Sequence, residues 1–424
     1  MKRGAALKIF AVIICAFIAC NLLTACSFAS IGADSNSIAH EVEKKEAAAL
    51  IAAVKGLSAE GVPENLYDVT ALEEAMAANE PALIRARAEA LFDRAALGMR
   101  DGVTAPQERL GWRMEETAPD TDEIAELKEK AFDHIAFAKA FERLAPRHEQ
   151  YALLKTALGA EGLSAEQQAR LRLNMDRWRW MPEDLGEDYI LVNVPAFELT
   201  LVRGGKTVAR RKVVTGTPSL PTPQMSALVT GVILNPTWFV PPSIVKESVG
   251  ALMKTDPARA KQLGYYAGAD GNVRQKPGPA NALGQMKLVM PNPYSVFLHD
   301  TPSKDAFNRD TRALSHGCIR VEDALGFART LLGDAISEED FNEILSTRRT
   351  VEIDLESPLP VYVAYFTAAA SEGGVVYYPD IYGRDAPLLA QFGGAGGENP
   401  DPIKTLIEES CPESAGEATL PDNL

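Results

Sequence analysis

Basic residues and cysteines are both scarce in this chain. Its 424 residues include 43 Lys or Arg against 58 Asp or Glu, which gives a net charge of −15. Proteins that bind nucleic acid do so with clustered Lys and Arg. Because no such basic cluster is present, nucleic-acid binding is excluded. Gly (31) and Pro (27) are too few for a fibrous or wholly disordered chain. The length predicts two or three globular domains.

The apolar run 9–23 is shorter than the roughly 20 residues that a permanent membrane-spanning helix needs. It ends in Leu23-Thr24-Ala25-Cys26, which resembles a bacterial lipoprotein box. We therefore expect a signal peptide over 1–25, an acylated Cys26 and a periplasmic protein attached to a membrane through its lipid. Ser27 is compatible with sorting to the outer membrane. An uncleaved signal anchor or ordinary cleavage nearby is the alternative.

Few cysteines remain for chemistry after that segment. Of five in the chain, Cys15 and Cys20 leave with the signal peptide and Cys26 carries the lipid. Only Cys318 and Cys411 are left, and two thiols in an exported chain make no disulfide framework. Cys411 lies in a polar, acidic tail, so Cys318 is the cysteine with a candidate function.

The first half of the chain has a helical period. Ile84, Ala88 and Leu91 recur on one helical stripe, and Ser164-Ala165-Glu166-Gln167 is a capping-box pattern that opens a further helix. This predicts a mainly helical scaffold domain over 26–185.

The second half has a strand period. Predicted strands cover 189–194, 197–202, 208–214, 227–234, 286–290, 294–298, 350–355 and 361–366. With a short helix at 323–332, this predicts an α+β chain whose second domain, 186–385, is β-rich and sandwich-like. Residues 244–272 lack a strand pattern and are a candidate lid, and 386–424 is expected to be disordered.

The candidate chemistry lies between His299 and Arg320. Two of the five histidines and one cysteine fall there, in His299-Asp300-Thr301-Pro302 and Ser315-His316-Gly317-Cys318-Ile319-Arg320. A thiolate attacks a carbonyl, and a nearby imidazole can take its proton and leave a thiolate–imidazolium pair. Gly317 lets the backbone turn so that amide N–H groups face an oxyanion, and the helix after Cys318 adds a positive dipole end.

These residues resemble the active-site motif of the L,D-transpeptidases, whose catalytic domain is called the YkuD domain. Further blocks resemble the large, YcbB-like branch of that family. They are Trp178-Arg179-Trp180-Met181-Pro182, Asn235-Pro236-Thr237-Trp238-Phe239-Val240-Pro241-Pro242-Ser243-Ile244, Gln275-Lys276-Pro277-Gly278-Pro279, Asn281-Ala282-Leu283-Gly284 and Asp380-Ile381-Tyr382-Gly383-Arg384-Asp385.

The resemblance implies a cysteine acyltransferase of peptidoglycan synthesis, and so a role in cell wall biogenesis and cell shape. The thiol would attack the carbonyl that joins the third residue of a tetrapeptide stem to its terminal D-Ala. D-Ala would leave, and an amine of a second stem would resolve the thioester into a 3→3 cross-link. No cofactor and no metal are implied.

The resemblance also assigns roles to individual residues. Cys318 would be the nucleophile and His299 the general base and acid, its ring oriented by the backbone carbonyl of Asp300. His316, Gly317 and Cys318 would shape the oxyanion hole, and Ser315 would help to hold His316. Arg320 stands where many smaller relatives carry Asn, and it is expected either to steady the loop or to face a substrate carboxylate.

Several alternatives stay open. The acceptor could be water, which gives a carboxypeptidase or endopeptidase, or a protein lysine, which tethers outer-membrane proteins to the wall. A zinc hydrolase could be built from His299, His316 and Cys318. A lipid-anchored wall-binding scaffold would need no catalysis. We expect no small peptidoglycan-binding module, usual in the large branch, before residue 178. The candidate lid is also short for that branch, and both departures leave substrate selection unexplained.

Overall fold

The computed structural model describes residues 41–63, 65–114, 120–371 and 373–394. They fall into two compact units, one from Met1–Val103 and Pro119–Ala145 and one from Thr104–Ala118 and Pro146–Leu424. The predicted signal peptide, Cys26, Cys411 and most of the predicted tail lie outside the described residues. Within the described part, no helix is both long and apolar enough to cross a bilayer.

The first unit is helical. Its helices are α1 (41–55), α2 (Thr70–Ala78), α3 (Pro81–Asp101), α4 (Thr121–His134) and α5 (Phe137–Leu144). The stripe predicted on α3 is confirmed, because Ile84, Ala88 and Leu91 are all buried. In the middle of this core, Phe92 on α3 stacks on Phe141 of α5 at 5.2 Å between ring centroids. Apolar packing of amphipathic faces therefore holds this unit together.

The second unit begins with two helices and continues into strands. The helices are α6 (Glu149–Leu158) and α7 (Ala165–Trp180), and α7 opens with the predicted capping box, both of whose hydrogen bonds are present. At its far end Arg177 forms a buried ion pair with Asp385 at 2.6 Å. Since α6 and α7 pack within this unit, the division between compact units falls at Ala145, earlier in the chain than the predicted domain boundary at 185.

Strands alternate with short helices through the rest of the second unit. The strands are β1 (Tyr189–Asn193), β2 (Glu198–Arg203), β3 (Lys206–Gly216), β4 (Met225–Leu234), β5 (Trp238–Phe239), β6 (Tyr265–Ala267), β7 (Val273–Gln275), β8 (Met286–Val289), β9 (Leu298–His299), β10 (Ala313–Ser315), β11 (Ile319–Val321), β12 (Val351–Ala364), β13 (Ala368–Ser371) and β14 (Gly374–Tyr377). The helices are α8 (Pro242–Ile244), α9 (Gly250–Thr255), α10 (Pro257–Gln262), α11 (Ala324–Leu332), α12 (Glu338–Thr347) and α13 (Ala386–Leu389).

Nine strands form one mixed sheet in the order β10-β3-β11-β9-β8-β4-β12-β1-β2, and β2 also pairs with β3. That extra pairing closes the sheet on itself, so the α+β fold is confirmed, with one closed sheet in place of two separate layers. Closure leaves no free edge among the other eight strands, while β10 pairs only with β3. Inside, the period-2 pattern buries residues such as Val192 and Val363, and Phe327 of α11 joins the same core.

Two strand predictions differ from the structure. The segments 350–355 and 361–366 belong largely to one strand, β12, whose register shifts between Asp354 and Leu359. The segment 294–298 is mostly a turn, because the Asn292 side chain amide donates to the carbonyls of Met290 and Val296 and its oxygen accepts from the amide of Tyr294. Only its last residue enters β9, directly before His299.

The candidate lid is a small folded segment with its own apolar cluster. Helix α8 continues through a π-helical turn, Val245–Val249, into α9, and β5, β7 and β6 form a three-stranded sheet. Val240, Val249, Ala260 and Tyr265 are buried together within it. The π turn carries Glu247, which becomes important at the site.

Candidate active site

Cys318 lies in the turn between β10 and β11, immediately before the buried Ile319. Gly317 precedes it with φ +108°, a backbone conformation that side-chain-bearing residues rarely adopt, so glycine is required there. The thiol is partly exposed, and Sγ is 3.7 Å from the carbonyl oxygen of Ser295. A strained turn at the end of a strand thus presents the sulfur at the surface of the sheet.

A buried hydrogen-bond network holds that turn from behind. The Thr222 hydroxyl donates to the Gly317 carbonyl at 2.9 Å and accepts from the amide of Gly216 at 2.8 Å. The Tyr382 hydroxyl donates to the Gly216 carbonyl at 2.7 Å and accepts from the Thr222 amide at 3.2 Å. The chains approach so closely that a Cβ on Gly216 would lie 2.1 Å from the Leu220 carbonyl oxygen. Tyr382 and Thr222 therefore fix the position of the residue before the nucleophile.

Ser315 has a different partner from the one predicted. Its hydroxyl donates to the Cys318 carbonyl at 2.5 Å and accepts from the Gly317 amide at 3.1 Å, so it braces the turn and does not hold His316. The Gly317 amide is thereby occupied. Among the described residues the Cys318 amide has no protein acceptor. Of these two amides, the one on Cys318 is therefore free to face an oxyanion.

His299 is buried at the end of β9. Its Nδ1 lies 2.5 Å from the backbone carbonyl of Asp300, and since a carbonyl only accepts, Nδ1 carries the proton. The other nitrogen, Nε2, is then the basic one. The Asp300 carboxylate accepts from the Gln285 amide at 2.9 Å and pairs with Lys304, so the residue that orients the ring is itself held on two sides.

Burial sets the protonation of both reactive groups. Burial, together with the positive charge of Arg320, lowers the pKa of His299 to about 3. Burial also raises the pKa of the Cys318 thiol, which the Phe297 amide and the charges of Lys287 and Arg320 oppose. The site therefore rests as thiol and neutral imidazole, unlike the expected ion pair, because desolvation disfavours both charged forms. Among the described residues no hydrogen bond joins Sγ to His299.

The His316 side chain contacts the lid segment. Its Nε2 lies 3.1 Å from an Oε atom of Glu247, and both side chains are largely exposed. In the part of the chain that the structure describes, no three His, Cys, Asp or Glu side chains are grouped to hold a metal ion. With His316 directed to Glu247 and His299 to Asp300, the geometry gives the zinc alternative no support.

Three residues near the site were not identified from the sequence. Thr222 has no motif around it that signals its role, whereas Tyr382 lies in the Asp380–Asp385 block and was quoted without a role. Lys287 is the third; its Nζ lies 3.6 Å from the centroid of the Phe297 ring. The register places Lys287 of β8 and Arg320 of β11 on either side of His299, directly opposite it.

Family models match both parts of the chain. Residues 187–353 match the L,D-transpeptidase catalytic domain, YkuD, and residues 39–158 match a model described as Scaffold domain. A Haemophilus influenzae protein named "Putative L,D-transpeptidase" is 34% identical over 240 residues, which cover 52% of this chain and 48% of that protein. The chain thus spans about half the length of the curated relative that it matches.

Solved structures with local similarity are also L,D-transpeptidases. The catalytic domain from Enterococcus faecium, determined by NMR, is 18% identical with a TM-score of 0.23, covering 42% of this chain and 99% of that one. The enzyme from Mycobacterium smegmatis is 12% identical with a TM-score of 0.23, covering 42% and 58%. With TM-scores this low, the assignment rests on the family models and the Haemophilus relative. Residues 187–353 belong to the YkuD family of L,D-transpeptidase catalytic domains.

Proposed function

We propose that this protein is an L,D-transpeptidase that acts on peptidoglycan tetrapeptide stems through a thioester on Cys318. One observation carries the proposal: a partly exposed thiol follows a glycine with positive φ, has a free backbone amide and neighbours the strand end that holds a neutral histidine. Acyl transfer needs those three parts, which are a nucleophile, an oxyanion donor and a base.

In the first half-reaction Sγ attacks the carbonyl carbon that links the third stem residue to the terminal D-Ala. The thiol proton passes to Nε2 of His299, and the Cys318 amide donates to the oxyanion of the tetrahedral intermediate. The C–N bond then breaks, His299 returns the proton to the departing amine of D-Ala, and the thioester remains. The Asp300 carbonyl accepts from Nδ1 throughout and favours the transiently charged ring.

In the second half-reaction an acceptor attacks the thioester. His299 takes a proton from the acceptor amine, the C–S bond breaks and the proton returns to the sulfur. An amine from the side chain of a second stem gives a 3→3 cross-link. Water or a protein lysine would follow the same steps, so they are outcomes of the test. We further propose that the protein works in the periplasm, attached to the outer membrane through the lipid on Cys26.

The test is mass spectrometry of products from purified tetrapeptide muropeptides, with and without an added outer-membrane protein as acceptor. The full chain should release D-Ala and form dimers joined 3→3. Cys318→Ala should abolish both products and Cys411→Ala should change neither. Tripeptides alone would indicate water as the acceptor, and a peptide-linked protein would indicate tethering. D-Ala release by Cys318→Ala at the wild-type rate would contradict the mechanism.

A further inference from the structure

Three side chains form a row across neighbouring strands beside the nucleophile. Lys287 on β8 lies opposite His299 on β9, and Arg320 on β11 lies opposite the same histidine from the other side. Residues that face each other across a strand pair share one face of the sheet. Their neighbours Leu288, Leu298 and Ile319 are fully buried in the core, so the row Lys287–His299–Arg320 lies on the outer face, where the turn presents Cys318.

Among the described residues, the two cations in this row have no carboxylate partner. Other cations of the sheet do, such as Arg210 with Glu198 at 2.7 Å and Arg211 with Asp323 at 3.2 Å. In the described part of the chain, neither Lys287 nor Arg320 forms an ion pair with a carboxylate. The acidic group that acts most strongly on both cations is the Cys318 thiol. The only carboxylate among the described residues that acts on Lys287 is Glu352, which lies two strands away across β4 and has the smaller effect.

Leaving these two charges without an anion is costly. Both side chains are half-buried, and burial lowers the pKa of each. Lys287 packs its ammonium group over the ring of Phe297, which supplies an attractive face but no negative charge. A partly desolvated cation gains most from an anion that it can hydrogen-bond. The row therefore has the chemistry of a carboxylate site that is completed by a ligand.

We infer that Arg320 and Lys287 form the subsite for the C-terminal carboxylate of the donor peptide. The inference rests on the proposed function and names the donor that it selects. In a tetrapeptide stem that carboxylate lies only three covalent bonds from the carbonyl carbon that Cys318 attacks. A planar guanidinium can hold it through two parallel hydrogen bonds, with the ammonium group as a second charge.

Such a subsite would discriminate between donor peptides by their length. In a stem with one more residue, the carbonyl of the D-Ala after the scissile bond belongs to an amide. The terminal carboxylate then lies one residue further from the scissile bond. Two half-buried cations would then face a neutral group. The site would therefore favour donors that end one residue after the bond to be cleaved.

The experiment compares two synthetic tetrapeptide donors that differ only at their end, one with a D-Ala carboxylate and one with a D-Ala carboxamide. Thioester formation is followed by mass spectrometry in single turnover. We expect the wild-type protein to react about 10- to 100-fold faster with the carboxylate donor. Arg320→Gln should remove most of this preference, so that the ratio of the two rates falls towards one, and Arg320→Lys should retain part of it. Lys287→Gln should reduce the preference less.

Arg211→Gln is the matched control, since Arg211 lies on the adjacent strand β3 and already has an acidic partner; it should keep the full preference. Equal rates with both donors in the wild-type protein would overturn the inference. An Arg320→Gln variant that slows both donors equally and raises the pH midpoint of Cys318 alkylation would also overturn it. Arg320 would then act by stabilising the Cys318 thiolate and not by binding the donor carboxylate.

Binding to Cys318→Ala, measured by calorimetry, separates this inference from the proposed function. Tighter binding of the carboxylate donor supports the subsite even if no thioester ever forms in the wild-type protein. A thioester from both donors with no difference in binding supports the function and rejects the subsite.

Discussion

The surroundings of His148 and of His299 resemble each other in one respect and differ in another. Both rings are withdrawn from water, and burial lowers the pKa of His148 to about 4 and that of His299 to about 3. Around His148 both nitrogens are used: Nδ1 accepts from the Gln150 amide at 3.1 Å, and Nε2 lies 3.0 Å from the Tyr189 hydroxyl. The ring also stacks on Trp178 at 4.1 Å.

Around His299 the ring hydrogen-bonds to backbone carbonyls. Nδ1 donates to the Asp300 carbonyl and the Leu283 carbonyl also accepts from the ring, while no side chain among the described residues bonds to Nε2. The ring stands between two cations beside a cysteine turn. A lowered pKa by itself therefore does not mark a catalytic histidine. What distinguishes the two is that no side chain among the described residues bonds to Nε2 of His299 and that a nucleophile lies near it.

The largest expected difference between the two regions is in the rate of acylation. His299→Ala should slow acylation of Cys318 by a carbapenem about 10²–10⁴-fold, because the thiol loses its base. His148→Gln should leave that rate unchanged, since His148 acts on α6 and not on the sulfur. Intact-mass kinetics measure both. An unchanged rate in His299→Ala would move the role of base to another group, with His316 the first to examine.

A smaller effect is expected from the network behind the nucleophile. Thr222→Val keeps the shape of the side chain but loses its bonds to Gly317 and Gly216, so acylation should slow about tenfold while the affinity for the donor is unchanged. Thr222→Ser should restore the rate, because it restores the hydroxyl. If donor affinity and acylation fall together, or if serine rescues neither, Thr222 does not position the turn.

The smallest expected effect is on stability in acid. Unfolded imidazoles bind protons with a pKa near 6.5, whereas native His148 does so only near 4. The unfolded state therefore binds more protons than the native state between these two pH values. The contribution of His148 to stability is constant above pH 6.5 and should be lost as the pH drops towards 4. His148 should contribute about 1–3 kcal/mol of that loss. In thermal melts at a series of pH values, His148→Gln should make the fall of Tm with decreasing pH less steep, and the fall that remains should be the part due to His299. If the slope of Tm against pH is unaltered, His148 is not the group that titrates.

Much of the fold could be read from periodicity. Alternation of apolar residues located most strands of the closed sheet, and the stripe on α3 located its buried face. The prediction failed at 294–298, where the apolar pattern is that of a strand but the side chain of Asn292 closes a turn. A side-chain hydrogen bond across a few residues leaves no periodic signal, so only the folded backbone shows it.

The amino-acid sequence by itself determined the chemical groups of the site and their order, because a glycine before a cysteine and a histidine before an aspartate are local patterns. It also determined the helical and strand-forming halves through their periods. Tertiary structure decided the partners: Ser315 with the turn, His316 with Glu247, and Lys287 and Arg320 on either side of His299. It also decided the charge of the thiol and the imidazole, because burial depends on which strands pack together and not on which residues follow one another.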